Sequence, residues 1–135
     1  MDLMRNLSEA EADAFAHDWA AAWNSHDVDL IVDHYRHDIQ YYSPFAGQLG
    51  ASTPLSGHGE LRRYVTVALE RYPSVQFGPG LVAAAGAGSI AIAYRSVDNL
   101  LAIETLAIDD HGLITLARCH YRQAPAGWAG FTSPP

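Results

Sequence analysis

The sequence predicts an α+β domain, with helices first and a meander of strands after them. Apolar residues recur at helical spacing as far as Tyr72, and four strand-like segments follow from Val75 onward. Short turn signals separate those segments, and short links between strands make neighbours antiparallel. A sheet of this kind must cover one face with the helices. If it is strongly curved, it leaves a hollow that the helices only partly fill.

The first helix has a readable start. Ser8 followed by Glu11 makes a capping box, with Leu7 and Ala12 placed as a hydrophobic staple. Phe15, Ala16, Trp19, Ala22 and Trp23 then share one face, and Asn24, Ser25 and His26 end the helix. Asp27 caps a second, shorter helix whose inner face is Leu30, Ile31, His34 and Tyr35. From Asp38 to Phe45 the pattern becomes strand-like, with Ile39, Tyr41, Tyr42 and Phe45. Residues Ala46 to Ser56, rich in Gly, Ser, Pro and Thr, read as a loop.

A third helix follows Gly57, with Leu61, Tyr64, Val65, Ala68, Leu69 and Tyr72 as its stripe, and Pro73 closes it. The strands are Val75–Ala84, Ser89–Val97, Leu100–Ile108 and Leu113–Arg122. Between them lie Gly86-Ala87-Gly88, Asp98-Asn99 and Asp109-Asp110-His111-Gly112. The Pro- and Gly-rich tail from Gln123 to Pro135 is expected to pack loosely. Residues 1–135 thus read as one domain with a core from about 8 to 122.

Bulk composition narrows the function. Charged residues make up 17% of the chain and hydrophobic ones 49%, so charges are scarce and apolar surface is expected in a pocket or a subunit interface. The net charge is −7 and no basic cluster exists, which argues against nucleic-acid binding. Cys119 is the single cysteine, so no intrachain disulfide forms, in keeping with a reducing cytoplasm. Met1 to Arg5 do not open a signal peptide, and no apolar run approaches the roughly 18 residues of a membrane span. A cytoplasmic location with no membrane or nucleic-acid partner is the expectation.

Several local signatures fall in a familiar order. They are Trp23-Asn24-Ser25-His26-Asp27, His34-Tyr35-Arg36-His37-Asp38, Tyr42-Ser43-Pro44 and Gly57-His58-Gly59. Asp110-His111-Gly112-Leu113-Ile114 then leads to Arg118-Cys119-His120-Tyr121. With the element order, they resemble the nuclear-transport-factor-2-like superfamily, which holds SnoaL-like polyketide cyclases, ketosteroid isomerases, limonene-epoxide hydrolases and scytalone dehydratases. The resemblance implies a cone: three helices from the N-terminal half packed on a strongly curved, mostly antiparallel sheet. It also implies cofactor-independent acid–base chemistry on a small apolar molecule, of cyclase, isomerase, dehydratase or epoxide-opening type.

The resemblance places family roles on individual positions. The isomerases' general-base aspartate falls on Ser43, their oxyanion tyrosine on Trp19 and their protonated carboxylic acid on Glu104. The cyclases' catalytic aspartate falls on Cys119, and their partner histidine on Glu104. The epoxide hydrolases' arginine falls on Ala102.

Glu104 is the leading candidate. It stands between Ala102 and Leu106 on the face expected to point inward, where desolvation raises a carboxyl pKa and prepares it for proton transfer near neutrality. The plainer alternatives are an outward side chain, or one paired with Arg118 or Arg95. A one-residue slip of register would turn His120 inward instead.

Tyr94, on the neighbouring strand, is placed to donate to a substrate oxygen or to serve as core. Tyr35, Tyr41, Ser43, Tyr64, Cys119 and Tyr121 are candidate pocket wall, and Trp19, Trp23 and Phe45 are its candidate shapers or simple core. His34 is expected to pack inward. His34 and His37, three apart, lack a facial-triad or H-E-x-x-H partner, and no phosphate-binding glycine loop precedes a helix, so neither metal nor cofactor is expected.

Two functions stay open. One discriminator between an acid–base enzyme and a binding or accessory module is whether a pocket of a few hundred Å³, roughly 300 or more, lies beside Glu104. A binding or accessory module of the same fold would have that space filled. In either case Leu101, Ile103 and Ala107 give the outer sheet face an apolar character, so a homodimer through that face is expected.

Overall fold

The computed structural model describes residues 5–51 and 53–128. The readings of the first residues, and of the tail beyond Trp128, lie outside the described residues. Among these residues four α-helices are present: α1 (Glu9–Ser25), α2 (Val28–Val32), α3 (Pro44–Gln48) and α4 (Gly57–Arg71). Six strands are also present among the described residues: β1 (Tyr35–Tyr42), β2 (Leu55–Ser56), β3 (Val82–Ala85), β4 (Ser89–Arg95), β5 (Leu100–Ile108) and β6 (Ile114–Gln123). No helix among the described residues is long and apolar enough to cross a membrane.

The helix starts follow their caps. The Ser8 hydroxyl accepts from the Glu11 amide, and the Glu11 carboxylate accepts from the Ser8 amide, closing the capping box. Asp27 Oδ1 accepts from the amides of Asp29 and Leu30 to start α2.

The strands form one curved, mixed sheet in the order β2-β1-β6-β5-β4-β3. The β1–β6 pair is parallel and the others antiparallel. Helix α1 packs on β3 and α4 on β1, so the helices cover the concave side. Alternation puts Ile90, Ile92 and Tyr94 of β4 inside, with Ala102, Glu104, Leu106 and Ile108 of β5. Ile103 of β5 (42% exposed) and Val82 of β3 (52% exposed) stay on the outside.

Four local readings are corrected. The stretch read as the end of a strand and a loop carries a helix, because the Ser43 hydroxyl accepts from the Phe45 amide and Pro44 stands at the first helical position. Phe45 is therefore helical, and Leu55–Ser56 in the same stretch pair with β1.

Helix two stops at Val32, and Tyr35 opens β1. The Ile114 amide donates to His34 O and His58 Nε2–H donates to Tyr35 O (2.6 Å), drawing this segment into the sheet. Leu30 is 49% exposed and His34 only half-buried, with its ring turned back onto Leu30 O, so the inner face of α2 is Ile31 and Val32.

The strand read as Val75–Ala84 is confined to Val82–Ala85. Val75 and Phe77 give backbone groups to the side chains of Asn24 and His26 at the end of α1 in place of a ladder. Val97 belongs to a 3-10 turn, where Asp98 (φ 54°) and Asn99 (φ 59°) adopt the left-handed conformation that their side chains tolerate.

Candidate functional site

The register of β4, β5 and β6 gathers the candidate residues. Glu104 lies opposite Ile92 on one side and Cys119 on the other, and Ala102 in the same way between Tyr94 and Tyr121. The diagonal neighbours Tyr94 and Glu104 thus meet on the concave face, where the Tyr94 hydroxyl donates to Glu104 Oε1 at 2.8 Å. Glu104 is 2% exposed and His120 is exposed, which settles the register: the carboxyl, not the imidazole, faces inward.

Glu104 is bound at only one of its oxygens. Its Oε2 is buried without a protein hydrogen-bond partner, as is Trp23 Nε1, and both residues line the same cavity. A buried polar atom without a partner costs about 1–3 kcal/mol, so two such atoms at one cavity mark a place where water or a ligand is favoured.

Burial pushes the Glu104 carboxyl up to about 7, against the opposing effect of the Tyr94 hydrogen bond and of the neighbouring Cys119 thiol. Burial, with the Glu104 charge second, holds the Tyr94 phenol and the Cys119 thiol well above their ordinary values. Near neutral pH Glu104 is therefore present as both acid and carboxylate, Tyr94 stays a hydroxyl donor, and Cys119 stays a thiol with no nucleophilic character.

The cavity volume is about 40 Å³, little more than the roughly 30 Å³ that one water molecule occupies in the liquid. This is well short of a few hundred Å³, so the discriminator points toward the binding or accessory module. Aromatic rings take up the space: Phe45 meets Tyr121 edge-on with centroids 4.6 Å apart, Phe77 lies 4.6 Å from Tyr94, and Tyr41 lies 5.5 Å from Tyr64. Half-buried residues, among them Leu49, Leu69, Tyr72, Val75 and Val97, complete the lining.

Of the residues singled out in the sequence, Glu104, Tyr94, Trp23, Tyr41, Phe45, Tyr64 and Tyr121 line the cavity. Trp19, Tyr35, Ser43 and Cys119 are buried around it without lining it. Trp19 Nε1–H donates to the Tyr35 hydroxyl at 3.2 Å, and the Trp19 ring meets Tyr94 edge-on. Ser43 serves α3 as its cap.

Sequence reasoning did not single out Phe77, whose ring packs on Trp19, Trp23 and Tyr94. Its one local signal was an aromatic residue just ahead of Gly78-Pro79-Gly80. Among the described residues no His, Cys, Asp and Glu side chains gather as a metal-ligand set.

Comparison with known proteins gives the fold context. The model of the SnoaL-like domain matches residues 16–112. A SnoaL-like protein of unknown function from Burkholderia thailandensis is 30% identical, with a TM-score of 0.78 over 86% of this chain and 98% of that one. A candidate ketosteroid isomerase from Kribbella flavida is 18% identical (TM-score 0.63, covering 94% of this chain and 84% of that one). The epoxide hydrolase/cyclase-like enzyme SalBIII, which acts in pyran-ring formation in the polyether salinomycin, is 20% identical (TM-score 0.64, covering 85% and 93%). The latter two share the fold. No curated protein matches the chain at a significant level.

Proposed function

The chain belongs to the SnoaL-like domain family, and from that premise we propose that it is a cofactor-independent acid–base enzyme acting on a small, mostly apolar organic molecule. Glu104 moves the proton and Tyr94 holds the carboxyl in place. The observation that carries this reading is the buried carboxyl, fixed at Oε1 by Tyr94 and unpartnered at Oε2, in the wall of a cavity. A carboxyl that titrates near neutrality matches the requirement of general acid–base catalysis at its operating pH. A carboxylic acid kept neutral by an apolar site and set beside a tyrosine hydroxyl is one arrangement that stabilises an enolate-like oxyanion.

Isomerisation, dehydration, cyclisation and epoxide opening all use such a group, and the kinship with SalBIII and with the Kribbella protein supports this range. A substrate larger than a few atoms must part the half-buried lining residues to reach Glu104. The test is turnover of small apolar epoxides and enolisable ketones by the wild type and by Glu104→Gln. Activity lost in the variant, with the fold intact, supports the assignment. Equal activity in both proteins contradicts it.

The narrowness of the cavity favours a second reading, a non-catalytic binding or accessory module. It is distinguished by saturable binding of the same compounds with no turnover and with affinity unaffected by Glu104→Gln.

A further inference from the structure

We propose that Asn24, at the end of α1, is a positioning residue for the Glu104–Tyr94 pair and acts through Phe77. The proposal rests on reading the Glu104 cavity as the reactive site. The Asn24 side chain grips the backbone of Phe77 at two points. Its Nδ2–H donates to Phe77 O at 2.8 Å, and the Phe77 amide donates to Asn24 Oδ1 at 2.7 Å. A neighbouring strand supplies the same pair of bonds in a ladder; here one amide side chain supplies both to a residue that has no ladder. Two residues on, His26 Nε2–H donates to Val75 O at 2.8 Å, so the connection from α4 to β3 is tied to α1 at both Val75 and Phe77.

The chain beyond Phe77 offers little to fix it. Pro79 has no amide hydrogen, and Gly78 (φ 88°) and Gly80 (φ 86°) lack side chains to pack. What the clamp holds is the Phe77 ring. That ring stacks on Trp19 at 5.5 Å with a 14° interplanar angle and lies 4.6 Å from Tyr94, whose hydroxyl holds Glu104. Val75 and Phe77 both line the cavity, so releasing them opens it to water and frees Tyr94.

Only an amide of this length makes both bonds. Aspartate keeps the acceptor and loses the donor, and alanine loses both. The prediction is therefore graded.

The test is the titration of the Glu104 carboxyl, followed by carbon-13 NMR in protein labelled at glutamate and assigned with Glu104→Gln. Asn24→Ala moves the midpoint down toward the ordinary glutamate value by about one pH unit or more, because burial is the larger cause of its displacement and access of bulk water outweighs any weakening of the Tyr94 bond. Asn24→Asp moves it by less. Ser8→Ala, which removes the cap at the far end of α1, is the control for mere loss of stability and leaves the midpoint where it was. A folded Asn24→Ala with the wild-type midpoint overturns the proposal, as does an equal displacement in Ser8→Ala. If Asn24→Ala does not fold, Asn24→Asp decides by the same readout. The readout does not depend on turnover. A displaced midpoint in a protein without activity upholds the positioning role and removes only the enzymatic reading.

Discussion

Replacing Glu104 by Gln removes one titrating proton from the interior at almost constant volume, and its consequence is a pH dependence of stability that the wild type has and the variant lacks. The carboxyl titrates at about 7 in the folded chain against an ordinary 4.5, and that difference corresponds to about 3 kcal/mol. Because the folded value is raised, the stability this group contributes is fully present below about 4.5. It is lost as the pH climbs to about 7, where the buried side chain must ionise. Urea denaturation of both proteins, at pH values from about 4 to about 8, isolates the effect, since other titrating groups cancel in the difference. Relative to the variant, the wild type loses about 3 kcal/mol across that interval. A difference between the two proteins that stays flat refutes the reasoning, since it means the carboxyl ionises as easily in the folded chain as in the unfolded one.

Other substitutions probe the remaining links. Tyr94→Phe removes the hydrogen bond that favours the ionised form, so the Glu104 midpoint, read by carbon-13 NMR, rises above about 7; a fall contradicts the assignment of that bond. Leu106→Ala at a fully buried position is expected to lower the unfolding free energy by about 2–5 kcal/mol, read from urea melts. Ser8→Ala is expected to lose about 1 kcal/mol with the capping box. We propose that the outer sheet face pairs two copies: light scattering at micromolar concentration should give a dimer for the wild type and a monomer for Ile103→Arg, and a monomeric wild type contradicts the pairing.

The parts of the fold that are written locally were readable in advance. The Ser8–Glu11 box, the Asp27 cap and the turn at Asp98-Asn99 act within a few residues, and so does the period-2 alternation that turns Glu104 inward. The failures came where distant groups decide the backbone. Tyr35 joins the sheet because of bonds made by Ile114 to its neighbour and by His58 from α4. The chain at Phe77 leaves the extended ladder because of Asn24, 53 positions earlier in the sequence. Helix α3 is a different case, since Ser43-Pro44 is a local cap signal that the surrounding Gly- and Ser-rich composition obscured. Within the candidate site, strand parity placed Glu104 and Tyr94 on the inner face, but the hydrogen bond between them was not read from the sequence. Nor was the cavity's size, because it depends on how aromatic rings from six elements and one irregular segment interlock.

The account depends above all on a Glu104 carboxyl kept out of bulk water by the rings around it. The most direct measurement is the carbon-13 NMR titration of that carboxyl in the wild-type protein. The account predicts a midpoint at about 7, with the signal of the neutral acid persisting well past the range where exposed glutamates have ionised. A midpoint at the ordinary 4.5 contradicts it, because a carboxyl in contact with bulk water has neither the pKa nor the setting that the proposed chemistry needs.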